Sequence, residues 1–216
     1  LVHELGHLMG LMHENRYYTS MGDAANFVLA GGGRVRAYFG ENSSYGARVL
    51  YGAQGSPFRD LSVSHWKRTG ANGEYSQHSR TSIKKFDGGR WVDLTYYAGS
   101  PDSSVPEVRL EVDRGDRIRF EYTLENNGKQ TETNVRGGVY ISTNDWISTS
   151  DRLIGTNTWP SIAAQGLPYT FGFSIDIPND LVRQRVYYVG YLIDDNNTVP
   201  EKTGYNNAAY IPIWIK

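Results

Sequence analysis

The feature that most constrains the fold is an alternation of apolar and polar residues through most of the second half of the chain. Successive side chains of a β-strand point to opposite faces, so this pattern predicts strands that bury one face. The alternating stretches are 108–112, 118–124, 139–141, 153–154, 171–177, 186–193 and 210–215, with turn residues between them. About seven strands in about 110 residues predict an Ig-like β-sandwich.

The composition supports a folded chain and excludes several classes of protein. The 216 residues include 22 basic and 23 acidic side chains, a net charge of −1. A nucleic-acid-binding or polybasic membrane-surface protein needs a clear cationic excess, so neither is expected. No stretch approaches the roughly 18 apolar residues of a membrane span. The sequence has no Cys, so a metal site must use carboxylates and the five His.

The best domain boundary is the segment 101–106, which is small, polar and interrupted by Pro101 and Pro106. Basic side chains are in slight excess before it, and acidic side chains are in excess after it. We therefore predict two units in an α+β chain. Residues 1–100 form a loop-rich unit that begins with a helix, 101–106 form a linker, and 107–216 form the sandwich.

The first residues contain the most specific motif, His3-Glu4-x-x-His7-x-x-Gly10-x-x-His13. Apolar residues recur around it at three- and four-residue spacing, which predicts a helix. His3 and His7 are then offset by only about 40° around the helix axis, so both project toward one ion. Gly10 permits a sharp turn that ends the helix and lets His13 return as a third ligand. Three neutral nitrogen ligands leave one position open, as in catalytic zinc sites.

Glu4 lies beside the first ligand, where its carboxylate can accept a proton from a metal-activated water. This motif resembles that of the metzincin zinc peptidases, and with Glu14 after the third His it is most similar to the astacin-like branch or a bacterial relative. The resemblance implies that His3, His7 and His13 bind Zn²⁺ and that Glu4 is the general base. It also implies a metalloendopeptidase that hydrolyses a protein or peptide substrate.

The chain departs from the metzincin pattern in two respects. It begins inside the motif helix, so we expect a fragment whose catalytic domain has a missing N-terminal part, and we expect this fragment alone to be inactive or nearly so. Metzincins also have a Met-containing turn beneath the zinc, and Met21 follows the third His too closely to supply it. The best positional candidate for that turn is 62–66, in which Ser64 replaces Met, and the second is 79–83.

Residues 135–211 resemble a CARDB-type domain, an Ig-like sandwich found beside catalytic domains in secreted bacterial and archaeal proteins. The matching residues are Val139-Tyr140-Ile141-Ser142-Thr143, Asp151-Arg152-Leu153-Ile154-Gly155, and Asp195-Asn196-Asn197-Thr198-Val199-Pro200-Glu201 followed by Tyr205-Asn206-Asn207. The resemblance implies an accessory domain of unknown ligand. Together with the peptidase motif, it implies a secreted, extracellular bacterial protein.

A non-enzymatic function is the alternative hypothesis. The chain would then be a surface or adhesion protein with a decayed zincin site, and its sandwich would bind a protein or a glycan. The absent Met of the Met-turn favours this alternative. The intact set of ligands and Glu4 opposes it, because decay would be expected to remove those residues first.

Several aspartates fall in the predicted turns of the sandwich: Asp145, Asp151, Asp194 and Asp195. Asp is an ordinary turn residue because its side chain bonds to the nearby main chain. Calcium binding by these carboxylates is the minor alternative, since the spacing is not that of an EF-hand.

Overall fold

The computed structural model describes residues 2–10, 50–52, 55–64, 66–68, 78–80, 82–93, 110–165, 169–202 and 204–216. Its elements are α1 (Val2–Leu8), β1 (Leu61–Ser64), β2 (Trp66–Arg68), β3 (His78–Arg80), β4 (Ile83–Asp87), β5 (Arg90–Asp93), β6 (Leu110–Val112), β7 (Arg117–Asn126), β8 (Glu132–Ser142), β9 (Arg152–Ile162), β10 (Tyr169–Asp176), β11 (Arg185–Ile193) and β12 (Ala208–Ile215). Strands therefore dominate these ranges, in which a helix-bearing subdomain of the metzincin type is not evident. None of the helical segments described is long and apolar enough to cross a membrane.

The prediction of a β-sandwich is confirmed, and its strands after residue 107 are β6 to β12. β8 and β9 each span 11 residues, which is longer than the alternating pattern indicated. Gly137 and Gly138 interrupt the apolar pattern of β8, but both keep partners on β9, Asn157 and Thr156. Main-chain pairing therefore continues where the side-chain pattern stops.

The strands form two five-stranded sheets and one separate pair. In the first sheet, here called the β7 sheet, β7 pairs with β10 on one side and with β1 and β4 on the other. β5 pairs with β4 at its edge. The second sheet, here called the β11 sheet, has the order β6-β12-β11-β8-β9. All neighbours in it are antiparallel except β6 and β12, which are parallel. β2 and β3 form the separate antiparallel pair.

The main core is a continuous cluster of buried side chains contributed by both sheets, and Tyr140, Ile147 and Tyr210 form a separate smaller cluster. Tyr122 of β7 and Tyr191 of β11 are the largest fully buried members of the main core, and their ring centroids lie 5.9 Å apart. The Tyr122 hydroxyl donates to the carbonyl oxygen of Val189 at 2.9 Å, which links the β7 sheet to the β11 sheet. Buried hydroxyls need such partners, so this bond fixes how the sheets sit on one another.

Three strands of the β7 sheet come from residues that precede the predicted linker. Leu61 and Val63 of β1 and Ile83 of β4 are buried in the common core. β1 pairs with 123–126 of β7, and β4 pairs with 118–120. The linker 101–106 lies outside the described residues, so the boundaries of the two predicted units remain predictions.

The interpretation of 62–66 as a Met-turn is wrong over 62–64, and residue 65 lies outside the described residues. Ser62, Val63 and Ser64 form an extended strand whose partners on β7 are Glu125, Leu124 and Thr123. The physical reason is visible in the sequence, because an apolar residue alternates with serine from Leu61 to Ser64, and the apolar residues enter the core. The second candidate, 79–83, contains the end of β3 and the start of β4, and residue 81 lies outside the described residues.

Candidate functional site

The predicted zinc motif begins on α1, where the predicted helix is confirmed over Val2–Leu8. His3 and His7 are four residues apart on this helix, so its backbone places both on one face. Glu4 is exposed and His7 is partly exposed. The side chain of His3 and the whole of His13 lie outside the described residues. The ligand roles of the three His and the general-base role of Glu4 therefore remain predictions.

The end of α1 has the geometry that the motif predicts. The Gly10 N–H donates to the carbonyl oxygen of His7 at 2.9 Å, and Gly10 has a φ of +82°. This left-handed conformation ends a helix sharply and is costly for residues other than Gly. The Tyr51 hydroxyl donates to the Met9 carbonyl oxygen at 2.5 Å, which connects residues 50–52 to the helix end. The predicted end of the helix at Gly10 is confirmed, and the return of His13 as a third ligand remains a prediction because His13 lies outside the described residues.

The predicted donor set, three imidazoles, fits zinc by residue type, and the structure describes the side chain of His7 alone among them. Neutral imidazoles four residues apart on one helical face are the usual first two ligands of a catalytic zinc site. Among the described side chains, no group of three or more His, Asp and Glu is placed to hold a metal ion. A complete site would need His3 and His13 as well as His7.

A second concentration of polar groups lies at one end of the sandwich, where the segment before and within β1 meets the loop between β11 and β12. One oxygen of Glu201 accepts from the Leu61 N–H at 2.5 Å, and the other accepts from Asn207 Nδ2 at 2.5 Å. Asn206 Nδ2 donates to Asp60 Oδ1 at 3.2 Å. Glu201, Asn206 and Asn207 are the Glu-to-Asn-Asn ending of the CARDB-like motif, for which the sequence indicated no role.

Main-chain hydrogen bonds hold the same segment from both sides. The Val63 and Asn206 main chains are joined by an N–H···O bond of 3.0 Å, and the Lys202 N–H donates to the Arg59 carbonyl oxygen at 2.9 Å. From the turn after β7, the Asn127 N–H donates to the Asp60 carbonyl oxygen at 2.8 Å. We call this arrangement the β1 clasp and define it as residues 58–64, 127–129, 201–202 and 204–207.

The β1 clasp contains two carboxyl groups with perturbed acidity. Burial raises the pKa of Glu201 from 4.5 to about 7, and its hydrogen bonds with Leu61 and Asn207 only partly oppose this. The charges of Asp194 and Asp60 raise it further. Burial also raises the pKa of Asp60 above its usual 3.8, against the lowering effects of its amide partners and Lys202. Desolvation therefore dominates the electrostatics of the clasp.

Two of the turn aspartates have the structural role predicted for them. Asp194, with a φ of +52°, accepts from the Thr198 N–H and hydroxyl, each at 2.9 Å, and from the Val199 N–H at 3.0 Å. Asp151 accepts from the Ser148 N–H at 2.8 Å. These bonds close the turns, so the interpretation of Asp151 and Asp194 as turn residues is confirmed.

Asp195 holds a different position, beside Arg136 and Tyr140 of β8. It is buried, accepts from the Tyr140 hydroxyl at 2.7 Å, and pairs with Arg136, whose Nε lies 3.3 Å from Oδ1. Burial and this carboxylate raise the pKa of Tyr140 to about 12. Asp195 thus serves as a buried acceptor that anchors two side chains of β8.

Comparison with known proteins identifies the family of the sandwich. A family model described as CARDB matches residues 93–210, which is more than half of the chain. No curated protein matches the sequence. The matched residues include every strand from β6 to β11, the start of β12, and all residues of the β1 clasp except 58–64.

Three solved structures illustrate the likeness. The CARDB domain of a Pyrococcus furiosus protein, crystallised in complex with di-metal ions, is 18% identical, covers 75% of this chain and 97% of its own, and has a TM-score of 0.42. A solution NMR structure of that domain is 19% identical, covers 74% of this chain and 97% of its own, and has a TM-score of 0.41. A sporulation control protein from Bacillus subtilis is 12% identical, covers 49% of this chain and 45% of its own, and has a TM-score of 0.32. On the match of the family model, the chain belongs to the CARDB family.

Proposed function

We propose that the chain combines a zinc peptidase motif with a CARDB sandwich, and that the protein hydrolyses peptide bonds in a protein or peptide substrate. The observation that carries this proposal is the local geometry of the motif. His3 and His7 share one face of α1, Glu4 is exposed beside them, and the helix ends at a left-handed Gly10. An accessory role for the sandwich and a secreted, extracellular bacterial location belong to the same proposal and rest on the family resemblance.

The chemistry assigned to each residue follows from its type and position. Zinc, when bound, polarises the scissile carbonyl group and lowers the pKa of a water molecule. His3, His7 and His13 would hold the ion as neutral imidazoles. Glu4 would accept the proton of the attacking water and pass it to the leaving amine, a role that its exposure on α1 permits.

The test compares zinc content and protein hydrolysis in the protein at its natural length. We expect His7→Ala to lose the zinc, because two ligands hold the ion poorly. We expect Glu4→Ala to keep the zinc and lose roughly 10²- to 10⁴-fold in cleavage rate. Glu111→Ala, a change in a surface ion pair of β6, is the matched control and should alter neither property. Absence of zinc from the unaltered protein would overturn the proposal.

A cleft in the sandwich favours a second candidate function, non-catalytic binding of a glycan or a protein. The cleft has a volume of about 270 Å³ and is lined in part by Trp159 of β9 and Tyr169 of β10. Their ring centroids lie 5.6 Å apart in an edge-on arrangement, and Tyr169 is 58% exposed. Aromatic side chains with polar atoms are common in binding sites. A protein that binds zinc without Glu4-dependent cleavage would favour this candidate.

A further inference from the structure

We propose that the β1 clasp is a pH-gated contact between the segment 58–64 and the CARDB sandwich, closed in acid and loosened as the pH rises to neutrality. The proposal is independent of zinc and of peptide hydrolysis. It concerns how the region that precedes the family module is held to that module.

The clasp crosses the N-terminal limit of the family match. Segment 58–64 precedes residue 93, whereas Glu201, Asn206 and Asn207 lie within the matched residues. Glu201 comes from the loop after β11, yet it bonds to the first main-chain N–H of β1. The loop after β11, which belongs to the matched module, therefore binds β1, which lies outside that module.

Glu201 connects the two segments of this contact because each of its carboxylate oxygens accepts a hydrogen bond from a different residue. One oxygen accepts from the Leu61 N–H, and the other accepts from Asn207 Nδ2. Leu61 is fully buried, and its Cα partner in the β7 sheet is Asn126. A change in the charge of Glu201 therefore acts directly on the point at which β1 joins the sheet.

The groups around Glu201 carry more negative than positive charge. Asp60 lies immediately before β1, Asp194 lies in the turn after β11, and Lys202 is the neighbouring cation. Glu125, which is buried on β7, is the Cα partner of Ser62. Further along, Arg59 pairs with Glu132, its Nε lying 3.3 Å from the carboxylate. Removing the proton from Glu201 thus adds a charge to a desolvated and already acidic end of the sandwich.

The direction of the pH effect follows from the folded-state acidity. Burial raises the pKa of Glu201 from 4.5 to about 7, and that of Asp60 is raised as well. A raised pKa means that the folded state holds the proton more tightly than the unfolded state does. The resulting stabilisation is complete below the unfolded pKa near 4.5 and is lost as the pH rises through about 7.

Hydrogen exchange of the full chain tests the clasp. The readout is the protection of the Leu61 and Val63 amides, corrected for intrinsic exchange. We expect this protection to fall roughly tenfold between about pH 5.5 and about pH 8.5. Protection that stays constant over this range would overturn the proposal.

Variants assign the effect to one side chain. Glu201→Gln keeps an acceptor for the Leu61 N–H, replaces the acceptor for Asn207 Nδ2 by an NH2 group, and removes the titration. The protection of β1 should therefore be the same at both ends of the pH range. Glu111→Gln, in the exposed pair with Lys216, should keep the pH dependence of the unaltered protein. Persistence of that dependence in a folded Glu201→Gln protein would refute the assignment.

A measurement on the unaltered protein covers the case in which Glu201→Gln does not fold. The carboxyl ¹³C chemical shift of Glu201 reports its protonation directly. A titration midpoint near 7 supports the clasp, whereas a midpoint near the ordinary value of 4.5 contradicts it.

Discussion

The two sheets of the sandwich differ in the origin of their strands. Every strand of the β11 sheet comes from the part of the chain after residue 109, whereas β1, β4 and β5 of the β7 sheet come from residues 61–93. The family match also begins at residue 93. The β11 sheet is therefore built almost wholly from the family module, and the β7 sheet is completed by residues that precede it.

This difference determines how the two sides of β7 are paired. On one side, β7 is paired by β10 along most of its length, and on the other side by β1 and β4. Without the upstream strands, one side of β7 would present unpaired main-chain groups, which favour association with other chains. The upstream segment thus contributes core side chains and also closes an edge of the β7 sheet.

The largest effect is expected in the β11 sheet, from Tyr191→Ala. Tyr191 is fully buried, stacks on Phe173 with ring centroids 5.3 Å apart, accepts from Trp159 Nε1 and donates to Asn157. Loss of the ring should lower the free energy of unfolding by about 3–5 kcal/mol, measured by urea denaturation. Tyr191→Phe removes only the hydroxyl and should cost about 1–2 kcal/mol. Equal losses in the two variants would show that packing of this ring does not join the sheets.

The next effect tests whether the upstream strand is integral to the β7 sheet. Leu61→Ala in β1 should cost about 2–4 kcal/mol in urea denaturation, because Leu61 is fully buried. Leu153→Ala in β9 is the same substitution at a side chain that is 43% exposed, and it should cost less than about 1 kcal/mol. Equal losses in the free energy of unfolding would show that β1 is not an integral part of the β7 sheet.

The smallest effect is expected at a surface contact between the sheets. Arg152 at the start of β9 donates to both carboxylate oxygens of Asp180, at 2.7 and 2.8 Å, in the turn after β10. The hydrogen bond with Arg152 lowers the pKa of Asp180, but both groups are exposed. Arg152→Ala should therefore raise that pKa toward 3.8 in an NMR titration and leave the Tm of unfolding unchanged. A clear fall in Tm would show that the sheets depend on this surface pair.

The strands of the family module could be predicted because each carries its own alternation, as Phe171, Phe173 and Ile175 do in β10. β1 has the same alternation over only four residues, which was too short to indicate that it belongs to the sandwich. β4 and β5 meet at Gly88 and Gly89, with φ of +54° and +81°, and are largely exposed there. Their place beside β7 depends on pairing between distant residues, which no local pattern contains.

The two candidate sites differ in the same way. The spacing of His3 and His7 is a local property, so the sequence could indicate their shared helical face. The environment of Glu201 is set by Leu61, 140 residues earlier in the chain, and by Asp60 beside it. A sequence motif could mark Glu201 as characteristic of the family, but only the fold could show that its carboxyl group is desolvated.

The parallel pairing of β6 and β12 has a mechanical consequence. β6 enters the sandwich and β12 leaves it in the same direction, with Leu110, Glu111 and Val112 beside Ile213, Trp214 and Ile215. The Lys216 N–H extends the contact to the Val112 carbonyl oxygen at 3.1 Å. Tension between residues 110 and 216 would pull these strands in opposite directions along their axes. The main-chain hydrogen bonds between them would then be loaded at the same time. We expect the module to resist stretching along this line, which single-molecule pulling can check.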